Sequence, residues 1–144
     1  MTTDCFIERI LDEFEATSAC KPTDSEMASA RDFITADIPA TDRDKEISRK
    51  MAAVVVHRSL QRLTGENDDD WGPARFFKDI YDCRVCANAV AQVTVKGIIE
   101  PESSDVFGMN GSLSEEAAHK TIVRIFNPSE RITVLLGLDS SGNS

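Results

Sequence analysis

The chain contains no long uninterrupted stretch of apolar residues, although hydrophobic residues make up 41% of it. A membrane-spanning helix needs about 20 consecutive, mainly apolar residues, so the sequence predicts no transmembrane segment. The N-terminal stretch MTTDCFIERILDEFEATS has acidic residues where a secretory signal carries lysine or arginine. We therefore expect a cytoplasmic protein, or a cell-surface protein if the chain is a trimmed piece of a longer one.

Basic residues are few relative to acidic ones, with 16 Lys and Arg against 25 Asp and Glu. The resulting net charge of -9 repels phosphate backbones and anionic lipid surfaces. We expect neither nucleic acid nor a membrane as a partner.

Catalytic motifs are also lacking. The chain has no glycine-rich phosphate loop, and the acidic segment 66–70 lacks the glycine and final glutamate of an EF-hand. His57 lies within an apolar segment, and no recognisable motif places a serine or cysteine nucleophile beside it. The sequence therefore predicts a protein that is not an enzyme and holds no cofactor.

Cysteine is scarce, and two of the four cysteines form the motif Cys83-x-x-Cys86. In a cytosolic chain of this length we expect thiols rather than a disulfide framework. A CxxC pair at a helix N-terminus is typical of a redox site, and it is also half of a zinc site, which needs about four ligands. No βαβ context and no second Cys/His pair accompany it, so packing of a small buried Cys86 is the favoured interpretation and no metal is predicted.

The length of 144 residues fits one domain with a core of ordinary size. We predict a single domain over 1–138 and a flexible tail over 139–144. Apolar residues recur at helical spacing in several segments, so the fold class is mainly α. Five helices are predicted. The first covers 4–15, the second is capped by Asp24 or Ser25 and runs toward Ile38, and the third covers 48–63, with Ser48 as its cap and Gly65 at its end. The fourth is capped by Asp82 and ends at Lys96-Gly97, and the fifth is capped by Ser114 and ends near Phe126.

Two segments allow alternatives. Val90 to Val95 is rich in β-branched residues and is compatible with a strand, but Ala87 to Gln92 and the closing Gly97 favour a helix. The closing segment 131–138 is either a short strand or an apolar tail packed on the body.

The segment 77–126 has an entry FKDI, a helix ending in Lys-Gly-Ile, a loop VFGMNGSLS and a Ser-capped helix. In this order it resembles the S-layer homology (SLH) motif. The segment 47–60 resembles the second helix of a preceding motif, and 24–38 its first helix. The resemblance implies an SLH-like helical repeat bundle, with short β segments in the loops and near 131–138, in which each repeat needs neighbours to cover its apolar face. The N-terminal helix, the C-terminal tail or a second protomer in a homodimer must supply the missing cover.

The SLH pattern has Thr-Arg-Ala-Glu at the start of the second helix, and its Arg projects into a groove between motifs. The chain keeps Ser48 and Arg49 in one copy, with Met51 in place of the Glu. In the other copy Ser114 stands at the cap, but Glu115 replaces the Arg. This charge reversal at the anion-contacting position argues against an acidic ligand at that groove.

The resemblance implies a non-catalytic binding module. We predict that it binds a protein partner or, as the weaker choice, a cell-wall polysaccharide. Ser48, Arg49 and Trp71 are the candidate ligand-binding residues; the single Trp71 either stacks on a ligand or anchors its loop. The alternative function is a cytosolic thiol-redox or zinc-binding protein that uses Cys83 and Cys86.

Overall fold

The computed structural model describes residues 1–134, which form helices and loops without a β-strand. The α-helices are α1 Thr3–Thr17, α2 Asp24–Thr35, α3 Ala40–Arg43, α4 Arg49–Ser59, α5 Ala87–Val95 and α6 Glu115–Phe126. Three 3-10 helices cover Gly72–Phe76, Arg84–Cys86 and Pro128–Glu130. The prediction of a mainly α fold is confirmed. In place of the expected short β segments, residues 1–134 contain two isolated β-bridges.

Two predictions concern segments that lie partly or wholly beyond residue 134. The closing segment shows no strand over 131–134, where the Ile132 amide donates to the carbonyl oxygen of Gly97 at 3.0 Å. Its remainder, 135–138, and the predicted tail 139–144 lie outside the described residues.

The cap of α2 differs from the predicted one. Thr23, not Asp24 or Ser25, is the N-cap, and it forms a capping box in which Glu26 bonds back to the Thr23 amide at 2.8 Å. A hydroxyl at N-cap and a carboxylate at N3 satisfy two amides at once, which neither predicted cap can do with Glu26. The helix ends at Thr35 rather than Ile38, because Asp37 has a positive φ of 63°.

The central helix α4 matches its prediction closely. Ser48 caps it by accepting a hydrogen bond from the Met51 amide at 3.2 Å, and a π-helical turn, Leu60–Thr64, extends it. Gly65 closes the turn in the left-handed region, as predicted. Its apolar residues pack mainly against α5.

The predicted Asp82 cap of α5 is wrong. A 3-10 turn, Arg84–Cys86, precedes the helix, and Cys86 occupies the N-cap position of α5. The helical alternative for this segment is confirmed, since α5 runs to Val95 and seven of its nine residues are buried. The turn at Gly97, with φ 73°, ends it.

The N-termini of α1, α4 and α6 lie side by side. Each helix is capped by a hydroxyl side chain that accepts from the amide three residues on: Thr2, Ser48 and Ser114. Backbone hydrogen bonds join these starts, from the Thr3 amide to Lys45 and from the Leu113 amide to Ile47. The isolated bridges Thr2 to Glu46 and Ser48 to Ser112 belong to the same junctions.

Helix α1 covers the apolar faces that the two predicted repeats leave open. It packs against α2, α4 and α6, and its residues Phe6, Ile7, Ile10 and Leu11 are at most 1% exposed. Phe14 and Phe126 meet with ring centroids 6.3 Å apart. The N-terminal helix thus supplies cover from within the chain.

Candidate functional site

A groove of about 120 Å³ lies between the start of α4, the turn after α5 and helix α6. Arg49 forms one side, Glu100 belongs to the turn, and Ser114 stands at the N-cap of α6. The other lining residues are Ile99, Leu113, Glu116, Ala117, Lys120, Thr121 and Arg124. The groove therefore joins the predicted first repeat to the second.

Arg49 is held in place by the loop that follows α5. Its Nε donates to the carbonyl oxygen of Phe107 at 3.1 Å, and a terminal nitrogen donates to the carbonyl oxygen of Glu100. The guanidinium also lies over the buried Phe107 ring, 4.8 Å from its centroid. Partial burial lowers the pKa of Arg49, while nearby carboxylates, with Glu102 foremost, act in the opposite direction. Arg49 is thus a structural clamp as well as part of the groove wall.

Two further cations line the groove: the half-exposed Lys120 and Arg124, whose side chain is 13% exposed and donates to the carbonyl oxygen of Ile98 at 3.4 Å. Lys120 Nζ lies 3.7 Å from the Glu116 carboxylate, and Arg124 lies 3.9 Å from that of Glu100. Glu116 and Glu100 are 82% and 62% exposed, so water screens both pairs. With Arg49, three basic and two acidic side chains give the lining itself a net charge of +1, while the carboxylates of Glu102 and Asp79 act on Arg49 from outside the lining. This local sign opposes the net charge of -9 carried by the whole chain.

The other predicted site residues have different surroundings. The Ser48 hydroxyl is occupied as the cap of α4, and Ser48 is not among the lining residues. Trp71 is outside the groove too; its indole N–H donates to Asn88 Oδ1 at 2.8 Å. Glu115 lies 3.6 Å from Arg9 of α1 and does not line this groove. Of the three predicted ligand-binding residues, only Arg49 faces the groove.

Hydrogen bonds and ion pairs connect the acidic segment 66–70 to the rest of the fold. The buried Gln92 side chain bonds the amide and the carbonyl oxygen of Asp69, both at 2.8 Å. His57 Nε2 lies 2.7 Å from Asp68, and Arg131 pairs with Glu66 through both terminal nitrogens. Hydrogen bonds from Arg131 are the main cause that lowers the pKa of Glu66. His57 and much of the acidic segment therefore have structural roles in this network.

Cys83 and Cys86 form a disulfide, so the expectation of thiols is wrong for this pair. The geometry allows the bond because the 3-10 turn brings the two Cα atoms within 5.2 Å. Cys5 and Cys20 are free thiols, as predicted, and both are exposed; Cys86 is buried at 7% exposure, also as predicted. A zinc ion binds thiolates, which the disulfide does not offer. Residues 1–134 contain no group of three or more His, Cys, Asp or Glu side chains placed to hold a metal ion.

Asp79, which the sequence marks only as part of the entry FKDI, organises the loop beside Arg49. Its carboxylate accepts from the backbone amides of Phe107, Gly108 and Met109, at 3.0, 2.8 and 3.1 Å. Partial burial acts to raise the pKa of Asp79, but the three amides outweigh it and hold that pKa below its ordinary value. An Asp two residues after Phe and a later Phe-Gly pair are the sequence signal for this contact.

No protein-family model, curated protein or solved structure matches this chain. The SLH-like architecture stays a prediction from the residues quoted above. Among residues 1–134, no helix is both long enough and apolar enough to cross a bilayer.

Proposed function

We propose that this chain is a non-catalytic binding module with SLH-like helical-repeat architecture, and that its groove binds an acidic segment of a protein partner. The observation that carries the proposal is the net positive lining of the groove within an acidic chain. Field lines concentrate in such a cleft, so an anionic group is attracted there and repelled elsewhere.

The arrangement of helix starts supports the repeat architecture. Three hydroxyl-capped helices, α1, α4 and α6, begin side by side, and the same kind of backbone hydrogen bond joins neighbouring starts. This makes α1 equivalent to the second helix of a third, N-terminal motif. The chain then has three second helices around one centre, with the groove between two of them.

The size and charge of the groove favour a protein segment over a polysaccharide. About 120 Å³ holds one side chain rather than a long polymer. A polyanionic polysaccharide extending beyond the groove would meet the field of a chain with net charge -9. One carboxylate on a mixed-charge protein surface avoids that repulsion, and the exposed Glu100 and Glu116 can accept hydrogen bonds from the partner's amides.

The test uses amide NMR of the whole protein titrated with the blocked peptide Ala-Glu-Ala and, separately, with Ala-Gln-Ala. We expect shifts at Ser114, Ala117 and Thr121 with the glutamate peptide and, because the carboxylate is missing, shifts at least about three-fold smaller with the glutamine peptide. A carboxylate-bearing cell-wall polysaccharide is the third titrant. If only the polysaccharide shifts these amides, the ligand class proposed here is wrong.

Two variants separate binding from folding. Arg124→Gln removes one cation of the groove and should weaken the glutamate-peptide shifts about five- to ten-fold, the usual effect of losing one charged hydrogen bond. Arg75→Gln is the matched control, because Arg75 is exposed and pairs with Asp70 outside the groove. Arg124 is a better probe than Arg49, because its backbone contact, to Ile98 at 3.4 Å, is longer than the contact by which Arg49 holds the loop at Phe107, at 3.1 Å. Equal shifts in both variants would remove the groove from consideration.

A further inference from the structure

We propose that the Cys83–Cys86 disulfide is a reactive site that transfers its oxidising equivalent to a dithiol on a partner protein. This chemistry lies outside the groove, whose lining includes neither cysteine. The inference therefore stands independently of the binding function proposed above.

The disulfide lies in a protruding turn where a second protein can reach it. Val85, between the two cysteines, is 93% exposed, and Tyr81 is 60% exposed. Cys83 is half-buried, whereas Cys86 is only 7% exposed. Cys83 is therefore the more accessible of the two residues, and its sulfur is assigned as the one attacked, with Cys86 as the leaving group.

Two positive features near Cys86 favour a leaving thiolate and oppose the effect of its burial in the apolar core. Cys86 is the N-cap of α5, a helix of nine residues whose first amides carry partial positive charge. The exposed Arg84 adds a full positive charge one residue after Cys83. A better stabilised leaving thiolate departs faster in thiol–disulfide exchange.

The exchange has two balanced steps. First, one thiolate of the partner attacks Cys83 Sγ; its new S–S bond forms as the Cys83–Cys86 bond breaks, and Cys86 leaves as a thiolate that takes up a proton. Second, the partner's other thiolate attacks its own sulfur in the mixed disulfide, and Cys83 leaves and is protonated. The partner loses two electrons and two protons, and the pair on this chain gains both.

The exposed apolar side chains around the turn indicate which kind of dithiol fits. Tyr81 and Val85 offer contacts to an extended peptide, and Phe76, 64% exposed, belongs to the preceding turn. A small monothiol such as glutathione gains nothing from these contacts and carries no second sulfur for the resolving step. We therefore expect a two-cysteine segment of a protein as the substrate.

The experiment starts from oxidised protein with Cys5→Ser and Cys20→Ser, so that only the pair reacts. It is mixed with a reduced peptide containing two cysteines, and mass spectrometry after acid quenching follows both species. We expect the protein to gain two hydrogens and the peptide to lose two, at least about ten-fold faster than glutathione at equal thiol concentration reduces the pair. Circular dichroism should stay helical throughout. Reduction that proceeds only as fast as the helices unfold overturns the proposal, as does glutathione reacting as fast as the peptide.

Single-cysteine variants test the roles of the two sulfurs. In the same background, Cys86→Ser leaves the half-buried Cys83 thiol, and Cys83→Ser leaves the buried Cys86 thiol. We expect the first variant to form a mixed disulfide with oxidised glutathione at least about ten-fold faster than the second, because access limits the reaction. Both must first show the helical spectrum of the parent. Equal rates, or a faster Cys86, contradict the assignment of Cys83 as the attacked sulfur.

Arg84 offers a further check with a matched control. Arg84→Ala in the disulfide form should slow peptide oxidation about two- to five-fold, since it removes a charge that favours thiolate. Arg75→Ala removes an equally exposed arginine from the preceding turn and should leave the rate unchanged. An equal effect of both variants would contradict the role given to Arg84.

Discussion

Replacing Asp79 with asparagine is expected to lower the free energy of unfolding by about 3 kcal/mol, the size of effect seen when a charged acceptor is taken from several buried amides. The carboxylate accepts from three consecutive backbone amides, those of Phe107, Gly108 and Met109. The asparagine side chain keeps one acceptor oxygen and turns an N–H₂ group toward the remaining donors. Urea unfolding followed by circular dichroism measures the change.

The control is Asp82→Asn, three residues further along the chain. Asp82 is exposed, and within residues 1–134 its only hydrogen bond runs from its backbone amide to the carbonyl oxygen of Asp79. We expect a change within about 0.5 kcal/mol, as for most surface substitutions. Comparable losses in the two variants would show that the loss at Asp79 does not come from its three amide contacts.

The Asp79 effect should depend on pH in one direction. Because the folded pKa lies below the ordinary value near 4, the ionised Asp79 stabilises the fold above about pH 4. That contribution disappears as pH falls through the folded pKa. The difference between the parent and Asp79→Asn should therefore be constant from about pH 7 to 5 and shrink below about pH 4. A difference that grows on acidification would be of the wrong sign.

Asp79 also connects the fold to the groove. The loop it holds supplies the Phe107 carbonyl and ring that orient Arg49, and the same loop pairs with the start of α4 through the Lys50 amide and the Met109 carbonyl oxygen. The wall of the groove thus depends on a carboxylate that does not line it. Reduced peptide binding in Asp79→Asn would follow from a displaced loop, not from a lost ligand contact.

The helices could be predicted from the sequence because local signals specify them. Ser48, Ser114, Gly65 and Gly97 act at helix ends through their own backbone and side-chain chemistry, and the structure places all four as expected. The cap at Thr23 was missed because Asp24 and Ser25 are equally good caps in isolation. Only the reciprocal bond from Glu26 distinguishes Thr23 from them.

The groove could be predicted only in part, because side chains distant in sequence meet there. Arg49 could be predicted, because it matches a position of the SLH repeat pattern. Lys120 and Arg124 lie on the predicted helix capped by Ser114, and nothing in the local sequence shows that they face Arg49. The Cys83–Cys86 disulfide could not be predicted for a different reason: the spacing of the two cysteines is compatible with thiols and with a disulfide, and the redox compartment decides between them.

Gly97→Ala is expected to destabilise the protein by about 3 to 5 kcal/mol, combining a left-handed backbone with overpacking. Gly97 has φ 73°, and a Cβ there would lie 1.9 Å from the backbone carbonyl oxygen of Ile132. The obstacle is the backbone of Ile132, whose amide donates to the carbonyl oxygen of Gly97, so it cannot move aside without breaking that hydrogen bond.

Gly65→Ala is the matched control, because Gly65 also ends a helix with φ 70° but has open space around a Cβ. It bears only the left-handed backbone cost of about 1 to 2 kcal/mol. Urea unfolding of the two variants should therefore differ by about 2 kcal/mol or more, the share due to overpacking against residue 132. Equal losses would mean that the segment after α6 does not pack on the turn at Gly97. Such a result would contradict the hydrogen bond from the Ile132 amide to Gly97 and, with it, the pairing of Arg131 with Glu66.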